Sequence, residues 1–188
     1  QVLRELRQIE SPVRRVMIAG GGNVGVRVAQ AISDTMTPKL IDHNKVRCEK
    51  IANSLESKAL VIYGDATDEA LLTEENVADV DMFVALTNDD ENNIMSALLA
   101  KRLGARRVMS LINRKAYAEL VEGGNIDITV TPSHATLGEL LKYIRRGDVE
   151  AVHSLRRGAA EALEIIVHGD ETTSKIIGKM VDQIEMPT

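Results

Sequence analysis

The chain has 188 residues, of which 44% are hydrophobic, and a formal net charge of −5. This apolar content argues against wholesale disorder, and the length allows one good-sized domain with a small appendage. Aromatic residues make up only 2% of the chain. Few stacking platforms and a negative charge together argue against a nucleic-acid binder.

The single cysteine, Cys48, excludes an internal disulfide and a cysteine zinc cluster. It fits a protein of the reducing cytosol. No apolar run approaches the roughly 20 residues that a membrane-spanning helix needs. The chain starts at Gln1 and ends in mid-pattern at EMPT, so we expect a fragment of a longer protein.

Residues 1–10 predict the end of a helix, a stub of something upstream, and Ser11-Pro12 ends its pattern. Between 11 and 132, short apolar runs alternate with amphipathic helical patterns. The predicted strands are 16–19, 40–41, 59–63, 82–86, 108–112 and 128–130, and the predicted helices lie near 24–33, 45–56, 68–76, 91–103 and 115–122. The alternation predicts an α/β fold, a Rossmann-like parallel sheet of six strands with helices on both faces.

The first predicted strand leads into GGGNVG, residues 20–25, and then into a helix. Gly20, Gly22 and Gly25 fit the pattern G-x-G-x-x-G, which lets a phosphate rest on a helix N-terminus. Asp42 ends the second strand, where a carboxylate accepts from ribose hydroxyls and repels a 2′-phosphate, so NADP is disfavoured. The alternative is a glycine-rich turn with a solvated Asp. The agreement of strand, turn, helix and acid favours the nucleotide site.

Polar residues follow the next three strands at the same predicted edge, namely Asp65, Thr87, Asn88 and Arg114. Asp65 is either a turn residue or a ligand contact, and Arg114 is either a surface side chain or a phosphate partner. The acidic run 89–91 begins a predicted helix. Capping of that helix is the preferred interpretation, with metal ligation as the alternative.

Residues 133–147 predict a further helix after the sheet, with an apolar face formed by Leu137, Leu140, Leu141 and Ile144. This face packs either on its own domain or on a second copy of the chain. Residues 148–188 predict a strand that ends at about 169 and a short helix over 173–184. They are too few for a substrate domain.

No catalytic set emerges from the sequence. Hydride transfer needs a proton donor or acceptor beside the cofactor and a substrate pocket. His134 is the only credible candidate, and a histidine at a helix end is more often solvated. Cys48 has no histidine partner placed by the sequence.

The segments GGGNVG, LIDHNKVRCEK, YGDATDEALLTEENV and ALTNDDENNIMSALLAKRLGA resemble the RCK (KTN) domain family. With the tail SLRRGAAEA…HGDETTSKIIGK, they resemble in particular the second half of the peripheral regulators of bacterial Trk-type potassium uptake, from about residue 12 onward. The resemblance implies a crossover helix over 133–147 that pairs two lobes, and a small C-terminal lobe over 148–188, truncated at Thr188. It also implies NAD(H) or ATP/ADP as ligand, no enzymatic activity, a homodimer or higher oligomer, and a membrane potassium transport partner at the inner face of the plasma membrane.

The resemblance also assigns residues of the nucleotide site. The phosphate loop is Gly20, Gly21, Gly22, Asn23, Val24 and Gly25, and Asp42 is the ribose acid. The looser rim positions are Arg47, Asp65, Ala66, Thr87, Asn88 and Arg114. Both nucleotide classes present ribose and phosphates to this loop, so the sequence does not choose between them. The alternative function is a small NAD-dependent oxidoreductase completed by another chain.

Overall fold

A computed structural model describes residues 12–55, 58–121, 123–133, 136, 149–155, 160–166, 168–169, 172–173 and 177–180. The chain divides into two compact units, Gln1–Pro132 and Ser133–Thr188. Each unit is described separately below.

The first unit contains a sheet of six strands in the order β3-β2-β1-β4-β5-β6, and every neighbouring pair is parallel. The strands are β1 Val16–Ala19, β2 Lys39–Asp42, β3 Leu60–Tyr63, β4 Met82–Ala85, β5 Arg107–Leu111 and β6 Ile128–Val130. The predicted α/β fold with a six-stranded parallel sheet is therefore confirmed.

Five helices connect these strands, and a short 3-10 turn lies at Val77–Asp79. The helices are α1 Asn23–Ile32, α2 Lys45–Ser54, α3 Glu69–Glu74, α4 Asp90–Arg102 and α5 Lys115–Leu120. Strand β1 is buried along its whole length, because helices cover both faces of a doubly wound sheet. The edge strand β3 leaves Leu60 and Tyr63 exposed.

The core lies on both faces of the sheet because successive strand residues point in opposite directions. Met17 and Phe83 belong to the cluster on one face, and Ile18 and Val84 belong to the cluster on the other. All four are 6% exposed or less. This two-sided burial explains why the central strands are continuous apolar runs in the sequence.

The register brings the carboxyl ends of β1, β2 and β4 to one level. Ala19 pairs with Ile41 on one side and with Ala85 on the other. The amide of Gly20 then donates to Ile41 O at 2.8 Å, and the amide of Leu86 donates to Ala19 O at 2.8 Å. Strands β2 and β3 lie on one side of β1, and β4, β5 and β6 lie on the other, so the strand order reverses at β1. Such a switch point is where ligands bind in open α/β sheets.

The second unit contains an antiparallel pair, β7 Val149–Leu155 and β8 Ala160–Ile165. Strand β8 matches the first part of the predicted strand, whereas β7 was not predicted. The predicted short helix over 173–184 is not found at 177–180, which turn at Gly178 with φ of 80°. The apolar face at Leu137, Leu140, Leu141 and Ile144 lies outside the described residues.

Candidate functional site

The turn after β1 can be built only with glycine at two positions. Gly20 has φ of 110°, and a Cβ there would lie 2.9 Å from both Leu86 C and Thr87 N. A Cβ on Gly25 would lie 1.9 Å from Gly20 O. The first and third glycines of the motif therefore serve close packing of the turn against β4 and against the start of α1.

Gly22 has a different environment. It has ordinary extended dihedrals (φ −73°, ψ −176°), and a Cβ there would meet nothing within 4 Å. It is also the N-cap of α1, which has no side-chain cap and no acidic residue in its first turn in the described structure. The N–H groups of this first turn and the helix dipole form a site suited to an anion.

A cleft of about 1060 Å³ opens above this turn. Its size is that of a site for a nucleotide-sized molecule. The lining includes most of the residues expected from the sequence: Gly20, Gly21, Gly22, Asn23, Val24, Asp42, Arg47, Asp65, Ala66, Thr87 and Asn88. Gly25 and Arg114 do not line it.

Asp42 lies at the floor of the cleft and is 4% exposed. Its Oδ2 accepts hydrogen bonds from the Gly21 amide at 2.7 Å and from Arg47 Nη1 at 2.9 Å, while Oδ1 accepts from the Asn44 amide at 2.8 Å. Burial raises the pKa of this carboxyl, but the two backbone amides and the Arg47 guanidinium outweigh burial and hold the pKa below its usual value. The carboxylate is therefore ionised and fixed against the glycine turn.

Asp65 follows β3, the strand next to β2, and also lines the cleft. Its Oδ1 accepts from both the amide and the hydroxyl of Thr67 at 2.8 Å. These hydrogen bonds lower the pKa of Asp65, and the charge of His43 adds to the effect. Asp68 rather than Thr67 caps α3, because its side chain accepts from the Ala70 amide. Asp65 is thus a turn-forming residue that also lines the cleft.

Asn93 stabilises the wall of the cleft beyond β4 by hydrogen bonds, and the sequence did not predict this role. This residue of α4 is fully buried. Its Oδ1 accepts from Thr87 N at 2.8 Å and Oγ1 at 2.7 Å, and its Nδ2 donates to Thr87 O and Leu111 O at 3.0 and 2.9 Å. One amide thereby joins the ends of β4 and β5. Its position in the first turn of a helix after a strand was the one signal available.

The three acidic residues after β4 have three different roles. Asp89 caps α4 by accepting from the Asn92 amide at 2.8 Å, as the capping interpretation predicted. Asp90 is buried and accepts from Asn113 N and Nδ2 and from Arg114 N, all at 2.8–2.9 Å. Glu91 Oε1 pairs with Arg114 Nη1 at 2.9 Å. The hydrogen bonds of Asp90 therefore tie α4 to the loop after β5.

Arg114, expected at the cleft rim, is held elsewhere. Its guanidinium donates to Glu91 and to the Tyr117 hydroxyl at 2.9 Å, and it lies 4.8 Å from the Tyr117 ring centroid. Asn113, one residue earlier, lines the cleft instead. The ion pair with Glu91 turns the arginine toward the outer surface of α4 and α5.

Among the described side chains, no group of three or more His, Cys, Asp or Glu could hold a metal ion. His43 lines the cleft beside Asp42, whereas His134 lies outside the described residues. Of the helices in the described ranges, none is both long enough and apolar enough to cross a bilayer.

The strand order and the glycine turn at the switch point define a Rossmann-like domain. The model of the TrkA-N domain family matches residues 16–132, and the chain belongs to this family. It is 51% identical over 187 residues to the Trk system potassium uptake protein TrkA of Halomonas elongata, covering 100% of this chain and 41% of that protein. It is 52% identical over 186 residues to the TrkA of Vibrio alginolyticus, covering 99% and 40%. The chain thus spans about two fifths of these relatives.

Solved structures share the fold at low identity. The TrkA-N domain of the inner membrane protein ybaL from Escherichia coli aligns with a TM-score of 0.62 at 10% identity, over 72% of this chain and 100% of that one. The GsuK channel bound to NAD aligns at 0.60 and 20%, over 82% and 28%. GsuK bound to ADP aligns at 0.55 and 20%, over 74% and 38%. The resemblance to RCK domains of Trk regulators is confirmed at the level of family and fold.

Proposed function

We propose that this chain is a nucleotide-sensing regulatory domain that binds NAD(H) or ATP/ADP and gates a membrane potassium transport partner of the Trk type. The observation that carries the proposal is the open Gly22 at the uncapped N-terminus of α1, with Asp42 fixed beside it in a cleft of about 1060 Å³. The relatives' names supply the potassium-uptake role.

The cleft offers complementary groups to the adenosine diphosphate portion that both nucleotide classes share. A phosphate approaches the first turn of α1 past Gly22, where a side chain would otherwise stand. The ribose hydroxyls donate to the ionised Asp42. GsuK structures carry NAD or ADP, which supports a site of this class accepting either ligand.

The proposal assigns no hydride transfer to the chain. Among the described cleft residues the one histidine is His43, which adjoins the ribose acid rather than the far wall. The far wall consists of neutral groups such as Thr87, Asn88 and Asn113. If the alternative of a small NAD-dependent oxidoreductase were correct, bound NADH would be oxidised in the presence of a carbonyl substrate.

Regulation requires that the nucleotide bind one arrangement of the assembly better than another, because a ligand shifts an equilibrium only by its differential affinity. The proposal therefore includes a homodimer or higher oligomer, located in the cytoplasm at the inner face of the plasma membrane and attached to the transport subunit. Loop variants should lose nucleotide control of potassium flux in reconstituted vesicles while they keep attachment to that subunit.

The decisive binding experiment uses Gly22→Val. The backbone at residue 22 has ordinary extended dihedrals and a Cβ there meets no protein atom within 4 Å, so the fold should persist. Ala31→Val is the matched control, because it also introduces a valine, at an exposed position of the same helix outside the cleft. Calorimetric titration with NADH and ATP should show binding to the wild-type chain and the control, with affinity at least about tenfold weaker for Gly22→Val. Equal affinity in all three would overturn the proposal.

A further inference from the structure

The ribose acid of the cleft does not present an isolated negative charge. Asp42 Oδ2 is bonded at 2.9 Å to Nη1 of Arg47, which lies in the first turn of α2 five residues later. The Asp42 side chain is 2% exposed, whereas the Arg47 side chain is 44% exposed. The acid is therefore buried beneath a cation that is open to the cleft.

The Asp42 carboxylate and the Arg47 guanidinium together carry no net charge as a pair. An isolated carboxylate at position 42 repels a 2′-phosphate. Arg47 lines the same cleft. Its bond to Asp42 uses one of the five N–H donors of a guanidinium, and the fork geometry of that group suits phosphate oxygens. The other ionisable groups lining the cleft are Arg27, His43 and Asp65.

The backbone keeps Arg47 in this position. Asn44 caps α2 by accepting from the Arg47 amide at 3.0 Å, and the Asn44 amide donates to the other oxygen of Asp42. A ribose held by Asp42 thus has its 2′ oxygen within reach of the guanidinium bonded to the same carboxylate. A 2′-phosphate placed there gains one attraction and one repulsion at similar range.

We propose that Arg47 is a specificity-determining residue that lets the ribose end of this cleft accept a 2′-phosphorylated nucleotide. The inference rests on the proposed nucleotide site. It predicts that the wild-type chain binds NADPH within about threefold of NADH, instead of rejecting it.

The test compares the NADPH/NADH ratio of dissociation constants in the full chain, by fluorescence titration at fixed ionic strength. Arg47→Gln removes the cation and should raise the ratio by at least about tenfold, mainly through weaker NADPH binding. Arg47→Lys retains the charge and should stay near the wild-type ratio. Lys50→Gln is the matched control, because it removes a cation from the same helix outside the cleft and should leave the ratio unchanged.

The outcomes separate the two proposals. If the wild-type chain binds neither NADH nor ATP, the nucleotide site itself is refuted. If NADH binds but Arg47→Gln leaves the ratio unchanged, or weakens both ligands equally, Arg47 only positions Asp42 and the specificity role is refuted. A wild-type chain that already rejects NADPH as strongly as Arg47→Gln does would refute it as well.

Discussion

Three consecutive acidic residues, Asp89, Asp90 and Glu91, offer a graded test of what burial and hydrogen bonding contribute to this domain. Each is changed to Ala in turn. The acids adjoin in the sequence, yet the first caps a helix, the second is buried with three hydrogen bonds, and the third forms an exposed ion pair. The expected losses of unfolding free energy therefore differ.

Asp90→Ala should have the largest effect. Hydrogen bonds to a charged group contribute about 1.5–3 kcal/mol each, but these bonds share one carboxylate and their donors are partly solvated, so their sum is reduced. We expect a loss of about 3 kcal/mol. For a chain of this size each kcal/mol shifts Tm by about 2–4 °C, which gives a fall of about 6–12 °C.

Asp89→Ala should lose about 1 kcal/mol, the usual contribution of an N-cap. Glu91→Ala should produce no measurable change, because an exposed ion pair contributes little. Urea denaturation and thermal melting of the three variants measure the order directly. Equal losses, or a smaller loss for Asp90 than for Asp89, would refute the view that Asp90 ties α4 to the loop after β5.

Three further predictions concern the glycine turn, the pH dependence of Asp90 and the segment 133–147. Gly25→Ala should lose about 3 kcal/mol of unfolding free energy in urea denaturation, because its Cβ would lie 1.9 Å from a backbone oxygen. Gly22→Ala should have the stability of the wild type, because its Cβ would meet nothing within 4 Å. The reverse order would contradict the described turn. Burial raises the pKa of Asp90, but hydrogen bonds from Asn113 and from the Arg114 amide, together with the Arg114 charge, lower the pKa overall. The contribution of Asp90 to the unfolding free energy is therefore complete above about pH 4 and is lost as the pH falls through the lowered pKa of the folded state. Acidification from pH 7 to about 3 should thus cost the wild type more stability than Asp90→Asn. Leu140→Asp with Ile144→Asp, in the segment 133–147 that the sequence predicts to pair two copies, should split a dimer in light scattering. A wild-type monomer at high concentration would refute that pairing role.

The sheet was predictable because each of its strands is visible as a local pattern in the sequence. Strands buried on both faces must be short apolar runs, and the glycine turns and helical patterns between them mark the connections. The predicted first and last strands of the sheet have the observed bounds, and the other four differ by a residue at one or both ends. Strand β7 was missed because VEAVHSL has charged and polar residues among its apolar ones, without a regular period of two.

The interior of the site was less predictable because it depends on contacts between distant residues. Asp90 reads as a capping acid in the sequence, and its true partners lie 23 and 24 residues later. Asn93 resembles any polar helix residue until the ends of β4 and β5 are placed beside it. Arg114 follows a strand as a rim residue should, but Glu91 and Tyr117 compete for its guanidinium. Local patterns do not contain such pairings.

Cys48 gives the chain a native reporter of local opening. It is the only cysteine in the sequence, it is 7% exposed, and its thiol donates at 3.3 Å to the backbone oxygen of Asp42, the residue proposed to bind the ribose. Burial and the charge of Asp42 raise the pKa of this thiol, so the closed state contains little reactive thiolate. The rate at which a maleimide labels Cys48 therefore measures how often α2 separates from β2. A ligand that binds Asp42 and holds it in place should slow this labelling. The assay needs no tag, no fluorophore and no substitution in the chain.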